Sequence, residues 1–200
     1  MVGLSQVRKT LSSCLTEPVV RLLVGTAITP NIITWFGLAL AVSAAVLVVG
    51  GYLFVAGLVI LLGGFFDMLD GALARRTEQV TRFGAVLDAT LDRLSEGALL
   101  LGIMLFFASG AKTIGVVLAG AALLASVSVS YVKAKAEAMG FECQVGLLTR
   151  EGRVIVLVLG LLLSQLFNNA LIIALTFIVG FGYLTVGQRL AYVWRQAKKG

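Results

Sequence analysis

The chain has 200 residues, 59% hydrophobic and 13% charged, with a formal net charge of +6; its mean hydropathy is +1.01. Soluble domains carry roughly 45–50% apolar and about 25% charged residues, so this composition excludes an ordinary soluble domain. There is no histidine, and there are two prolines and two cysteines (Cys14 and Cys143), which excludes histidine bases and ligands, Pro-rich disorder, a disulfide framework and a four-thiolate zinc site.

In chain order, residues 4–25 come first. Val7, Leu11, Leu15, Val19, Leu22 and Leu23 recur there at near-helical spacing beside Arg8, Lys9 and Arg21. That pattern predicts an amphipathic helix in the membrane interface, with Pro18 as a point of break or kink; a soluble tail folded onto the rest is the alternative. Residues 1–28 have no continuous apolar core and carry Arg8, Lys9, Glu17 and Arg21, which argues against a signal peptide. We expect a juxtamembrane segment over 1–28 and a membrane domain over 29–200. A spanning helix needs about 20 mostly apolar residues. Six stretches qualify: 31–51, 53–73, 84–108, 112–136, 153–167 and 169–192, the fifth being short unless it begins near Arg150. The expected class is an all-α integral membrane protein with six transmembrane helices and an N-terminal amphipathic helix.

Lysines and arginines cluster before the first span, between the second and third, between the fourth and fifth, and after the sixth. The turns at Gly50-Gly51 and Asn168-Asn169 have none, and Lys112 alone falls on their side. The positive-inside rule then places a multi-pass protein in the cell membrane, with both termini and the 75–82 and 133–153 connections facing the cytoplasm. The positive charge there meets anionic headgroups and phosphorylated substrates. No basic–aromatic platform suggests nucleic acid.

Asp67, Asp70, Asp88, Asp92 and Glu96 lie in or at the edge of apolar helices. Carboxylates are costly there and default to a functional reading. Asp67 and Asp70 are i,i+3, and Asp88 and Asp92 are i,i+4, so each pair shares a helix face. An antiparallel hairpin brings all four to similar depth. Crowded carboxylates repel, and a divalent cation relieves this. An all-oxygen set favours Mg²⁺, with Mn²⁺ or Ca²⁺ as alternatives, and substrate phosphates commonly complete the shell. Gly63, Gly64, Gly71 and Gly84 leave room for close approach, and Arg75 and Arg76 offer donors to phosphate. A structural Asp–Arg pair, a proton relay and a cation pathway stay open on chemistry alone.

The stretch reads Asp67-x2-Asp70-Gly71-x2-Ala74-Arg75-x8-Gly84-x3-Asp88-x3-Asp92, eight specified residues over 26 positions. It resembles the signature of the CDP-alcohol phosphotransferase family at every fixed position and gap. The resemblance implies a homodimeric six-helix membrane enzyme in which a CDP-linked lipid binds with its diphosphate on two metal ions. An acceptor hydroxyl attacks the lipid-linked phosphorus and CMP leaves. It implies Asp67, Asp70 and Asp88 as metal ligands, and Asp92 as the general base that also touches metal. Asp70, Gly71, Ala74, Arg75 and Gly84 are implied around the nucleotide. Thr29-Pro30-Asn31-x2-Thr34 matches the family's entry to its first span. Asn31 is directed to the phosphates, with a helix cap as the alternative.

The second half resembles the subgroup that makes phosphatidylinositol phosphate in actinobacteria and its archaeal counterpart using an archaeol lipid. The resemblance lies in Ser130-Tyr131-Val132-Lys133-Ala134-Lys135-Ala136-Glu137, Arg150 with Arg153, and Gln188-Arg189. It implies CDP-diacylglycerol or CDP-archaeol as donor and inositol 1-phosphate as acceptor. Ser130, Lys133, Lys135, Arg150, Arg153 and Arg189 are the implied acceptor-phosphate pocket. Lys133–Glu137 pairing at the surface and snorkelling of Arg189 are the bland alternatives. Lys135 stands where the subgroup has Arg, and Thr149-Arg150-Glu151-Gly152-Arg153 replaces a Glu-Arg-Pro-Glu-Arg-like run. Phosphatidylglycerophosphate synthases, which use glycerol 3-phosphate, share the catalytic motif but commonly read Asp-Pro-x-x-Asp-Lys where this chain has Asp88-Ala89-Thr90-Leu91-Asp92-Arg93. An ion-coupled transporter and a binding-only scaffold are the remaining alternatives.

Overall fold

The computed structural model describes residues 16–24 and 29–198. Residues 4–15 and 25 of the expected amphipathic segment lie outside this range. The rest is helical over 16–23 (α1), and the backbone stays helical on both sides of Pro18. Six helices follow: α2 Pro30–Val49, α3 Leu53–Arg76, α4 Arg82–Ser109, α5 Thr113–Ala138, α6 Arg150–Leu163 and α7 Ala170–Ala197. No strand occurs among the described residues.

Each predicted span became a helix. Four of them, α2, α3, α5 and α7, are long and apolar enough to cross a bilayer, so the chain is a multi-pass membrane protein. The other two fall short for different reasons. In α4 the 28 residues include Asp88, Asp92, Arg93 and Glu96, which break its apolar run. α6 has 14 residues, about 21 Å of helix against a hydrocarbon core of about 30 Å.

Four helix ends are built alike. Tyr52 N–H donates to Leu47, Gln79 to Ala74, Lys112 to Phe107 and Phe141 to Ala136, each at 2.9–3.0 Å. These six-residue closures cap the last carbonyls of α2, α3, α4 and α5 and need a left-handed residue just before the donor. Gly51 and Gly140 fill that place in two of them, and Glu78 (φ 55°) and Ala111 (φ 52°) in the others.

The chain divides into two compact units, residues 1–43 with 59–95 and residues 44–58 with 96–200. In the first, Val20 of α1, Ile33 of α2, and Leu69 and Leu73 of α3 form a buried core, with Phe65 and Phe66 packed on it. Glu17 then ties α1 to Arg76 at the end of α3 and to Arg21, 3.2 Å away. These cations, Arg21 first, hold the exposed Glu17 carboxyl below its usual range.

In the second unit α7 packs on α5 and α6, through small residues that let backbones approach. A Cβ on Gly182 would lie 3.0 Å from Ala125, and one on Gly160 2.7 Å from Ala174. A Cβ on Gly102 would meet the Ala45 carbonyl at 2.8 Å.

Candidate active site

The first unit holds the whole carboxylate motif. Asp67 and Asp70 sit in the last three turns of α3, and Asp88 in the second turn of α4. The 77–81 turn reverses the chain between them, with Glu78 in the left-handed conformation. One carboxylate oxygen each from Asp67, Asp70 and Asp88 lies within 4.8 Å of the other two. Asp70 is buried and the other two are partly exposed. Three hard oxygen donors at this spacing fit a divalent cation such as Mg²⁺ or Mn²⁺. Asp92 lies one turn beyond Asp88 on α4 and is partly buried.

The neighbouring residues follow from local chemistry. Pro30 opens α2, where its fixed φ suits the first helical position. The cap position therefore belongs to Thr29, and Asn31 lies inside the first turn, so the cap reading of Asn31 is set aside. Its Oδ1 lies 3.7 Å from where a Gly84 Cβ would stand. Thr81 caps α4, its Oγ1 accepting the Gly84 N–H at 2.9 Å. A Cβ on Gly84 would crowd that hydroxyl at 3.0 Å. Gly71 has a similar use: the Arg75 guanidinium folds over it, 3.4 Å from where a Cβ would be. Ala74, on the next turn, is partly buried. Thr34 of α2 donates to Asp70 Oδ2 at 2.8 Å, a contact that sequence reading did not reach.

The basic residues expected to hold the acceptor phosphate lie in the second unit and have different settings. Arg153 has no exposed surface. Its Nε and Nη2 donate to the two oxygens of Glu96 at 2.6 and 2.8 Å, and Nη1 lies 3.5 Å from the Leu148 carbonyl. Its partner on α4 was recognisable as a buried acid, but not as the counter-ion of Arg153. Arg189 is 5% exposed, so it does not snorkel. It turns inward, where Nε donates to the Val145 carbonyl at 2.9 Å and Nη1 to that of Val129, next to Ser130. Thr185 and Gln188, on the same helix, accept from the Leu148 and Leu147 N–H groups at 3.1 and 3.2 Å. Thus α7 binds the 145–148 connection through three side chains. Lys133 pairs with Glu137 at 3.8 Å on the surface. Lys135 is exposed, while Arg150 and Ser130 are half-buried.

Residues 27–182 match the family described as CDP-alcohol phosphatidyltransferase. The chain is 39% identical over 176 residues to the archaetidylinositol phosphate synthase of Methanothermobacter thermautotrophicus, covering 86% of each protein. It is 41% identical over 152 residues to the phosphatidylinositol phosphate synthase of Mycobacteroides abscessus, covering 75% of this chain and 69% of that one. Two crystal structures of the Mycobacterium tuberculosis phosphatidylinositol phosphate synthase superpose with a TM-score of 0.84 at 35% identity. One has CDP-DAG bound and covers 90% of this chain and 93% of its own. The other is a complex with manganese and citrate and covers 90% and 88%. The fold, the carboxylate hairpin and these likenesses agree, and the chain belongs to the CDP-alcohol phosphatidyltransferase family.

Proposed function

We propose that the chain transfers a phosphatidyl or archaetidyl group from a CDP-linked lipid to inositol 1-phosphate and releases CMP. The observation that carries this is the convergence of Asp67, Asp70 and Asp88 within 4.8 Å. They stand in a membrane helix hairpin whose sequence has the family's full motif. The relatives' names supply the product class, and the CDP-DAG and manganese complexes of one of them supply the donor and cation.

On this reading Asp67, Asp70, Asp88 and Asp92 would together hold two divalent cations, Mg²⁺ or Mn²⁺. Bound there, the cations would neutralise the diphosphate and the departing CMP. Arg75, folded over Gly71, contacts the nucleotide beside Ala74, and Gly84 leaves Asn31 room to approach it. Asp92 takes the acceptor hydroxyl proton as the new phosphorus–oxygen bond forms and the diphosphate bond breaks. An ordinary carboxylate is a weak base toward an alcohol, so positioning and charge neutralisation carry most of the rate.

The acceptor phosphate is read by the basic residues of the second unit. Lys133, Lys135 and Arg150, with Ser130, are the side chains proposed to reach it. Arg189, bonded to the Val129 and Val145 carbonyls, holds the surrounding backbone and supplies positive charge, while the charge of Arg153 is taken up by Glu96. A cationic pocket suits a phosphorylated alcohol and suits free inositol or serine poorly, because unpaired charge would remain.

Further proposals follow from the charge pattern and the family. Helices α2–α7 together form one six-span domain over 29–200 in the cell membrane, with 1–28 as a juxtamembrane segment. Both termini and the active site face the cytoplasm, and the protein is a homodimer. The test is CMP release by purified protein with Mg²⁺ and either CDP-diacylglycerol or CDP-archaeol, offering inositol 1-phosphate, glycerol 3-phosphate, inositol and serine in parallel. Release with inositol 1-phosphate alone is expected. Release with glycerol 3-phosphate alone would replace the acceptor assignment with phosphatidylglycerophosphate synthesis.

A further inference from the structure

We propose that Thr34 is a positioning residue for the cation site, its hydroxyl fixing the Asp70 carboxylate so that Oδ1 is left for the metal. This rests on the reading of Asp67, Asp70 and Asp88 as cation ligands.

Asp70 is 6% exposed, so water does little to orient it, and a carboxylate turns freely about its broad χ2 well unless something holds it. Thr34 Oγ1 supplies that hold, donating to Oδ2 at 2.8 Å from a helix 36 residues away in sequence. The donor is itself fixed. Its Oγ1 also lies 3.1 Å from the Pro30 carbonyl, the contact that selects one of threonine's two favoured helical rotamers. Pro30 opens α2, so this contact sits in a turn whose backbone is already restricted. A hydroxyl has one proton, and the ionised carboxylate, both closer and charged, is the better acceptor. Hydrogen bonds of this type fix ligating carboxylates, and their loss typically costs about 10–100-fold in metal affinity.

The bland alternative is that Thr34 merely ties α2 to α3. It is separated by measuring metal affinity as well as stability. Protein stripped with EDTA and held in detergent without lipid substrate is titrated with Mn²⁺, and free Mn²⁺ is read by electron paramagnetic resonance. The Mg²⁺ concentration for half-maximal CMP release and the thermal unfolding midpoint are measured on the same samples. Thr34→Val, which keeps the shape and removes the hydroxyl, is expected to weaken Mn²⁺ binding about tenfold or more. The kinetic change should fall mainly on the Mg²⁺ requirement. Thr34→Ser should bind within about threefold of wild type, because the donor remains. If the valine variant does not fold, Thr34→Ala carries the same expectation. Wild-type Mn²⁺ affinity in Thr34→Val or Thr34→Ala, or equal losses in the serine and valine variants, would overturn the role of Thr34. Asp88→Asn distinguishes the underlying reading. If its Mn²⁺ affinity is also unchanged, the cation site itself is wrong; if it falls while Thr34→Val does not, Thr34 alone is excluded.

Discussion

Arg153 takes a full charge into space without exposed surface, and Glu96 meets it through two short hydrogen bonds. Removing one member of such a pair leaves the other charge buried and uncompensated, at a cost of about 3–5 kcal/mol. Glu96→Ala should therefore lower the thermal unfolding midpoint sharply, and Glu96→Leu with Arg153→Leu should recover most of the loss. A double variant no better than the single would show that the pair is not the source of the cost. By the same logic Arg153→Glu sets two buried carboxylates together and reports on folding before acceptor binding. The exposed Lys135 and the half-buried Arg150 make the cleaner test. Lys135→Gln and Arg150→Gln should each raise the KM for inositol 1-phosphate about tenfold or more, the loss of a charge-assisted bond of about 1.5–3 kcal/mol, with little change in the KM for the CDP-lipid. Unchanged acceptor kinetics in both would remove the proposed pocket. Residues of the carboxylate motif were legible in the sequence because their spacing is covalent: i,i+3 and i,i+4 place each pair on a helix face whatever the tertiary structure. Thr34–Asp70 and Glu96–Arg153 were not, since packing chooses partners 36 and 57 residues apart.

At the scale of the elements, the turns are as informative as the helices. Four helix ends close by the same six-residue hydrogen bond, and two of them put a non-glycine residue in the left-handed region, Glu78 and Ala111. Glycine removes that penalty, so Ala111→Gly is expected to stabilise by up to about 1 kcal/mol, seen as a higher unfolding midpoint; a lower midpoint would mean that Ala111 packs more than it strains. Gly146 is the opposite case. Its φ is 137°, and a Cβ there would lie 2.6 Å from Thr185 Cγ2 and 3.3 Å from Arg189 Nε. Gly146→Ala should destabilise the protein and loosen the 145–148 connection that α7 binds. The helices themselves were readable to within a few residues, because a bilayer demands long apolar runs. Their excess length was less so: α5 and α7 continue to Ala138 and Ala197, through charged sequence that marks the end of an apolar run but not the end of a helix. Likewise the apolar stretch expected to reach 167 stops being an α-helix at Leu163, where turns take over before Asn168.

For the molecule as a whole, composition sets the environment and the motif sets the chemistry. The high hydropathy and sparse charge leave few reasons for carboxylates in a membrane helix other than function. Three of them converge on one point, which makes cation dependence the central claim. The most direct measurement is CMP release from CDP-diacylglycerol or CDP-archaeol with inositol 1-phosphate, after EDTA and then across a Mg²⁺ titration, for wild type, Asp70→Asn and Asp92→Asn. Activity should vanish with EDTA and return with Mg²⁺ in the wild type. Asp70→Asn should need far more Mg²⁺, and Asp92→Asn should bind donor and cation yet turn over poorly. CMP release that persists in EDTA, or an Asp70→Asn enzyme with the wild-type Mg²⁺ requirement, would contradict the account.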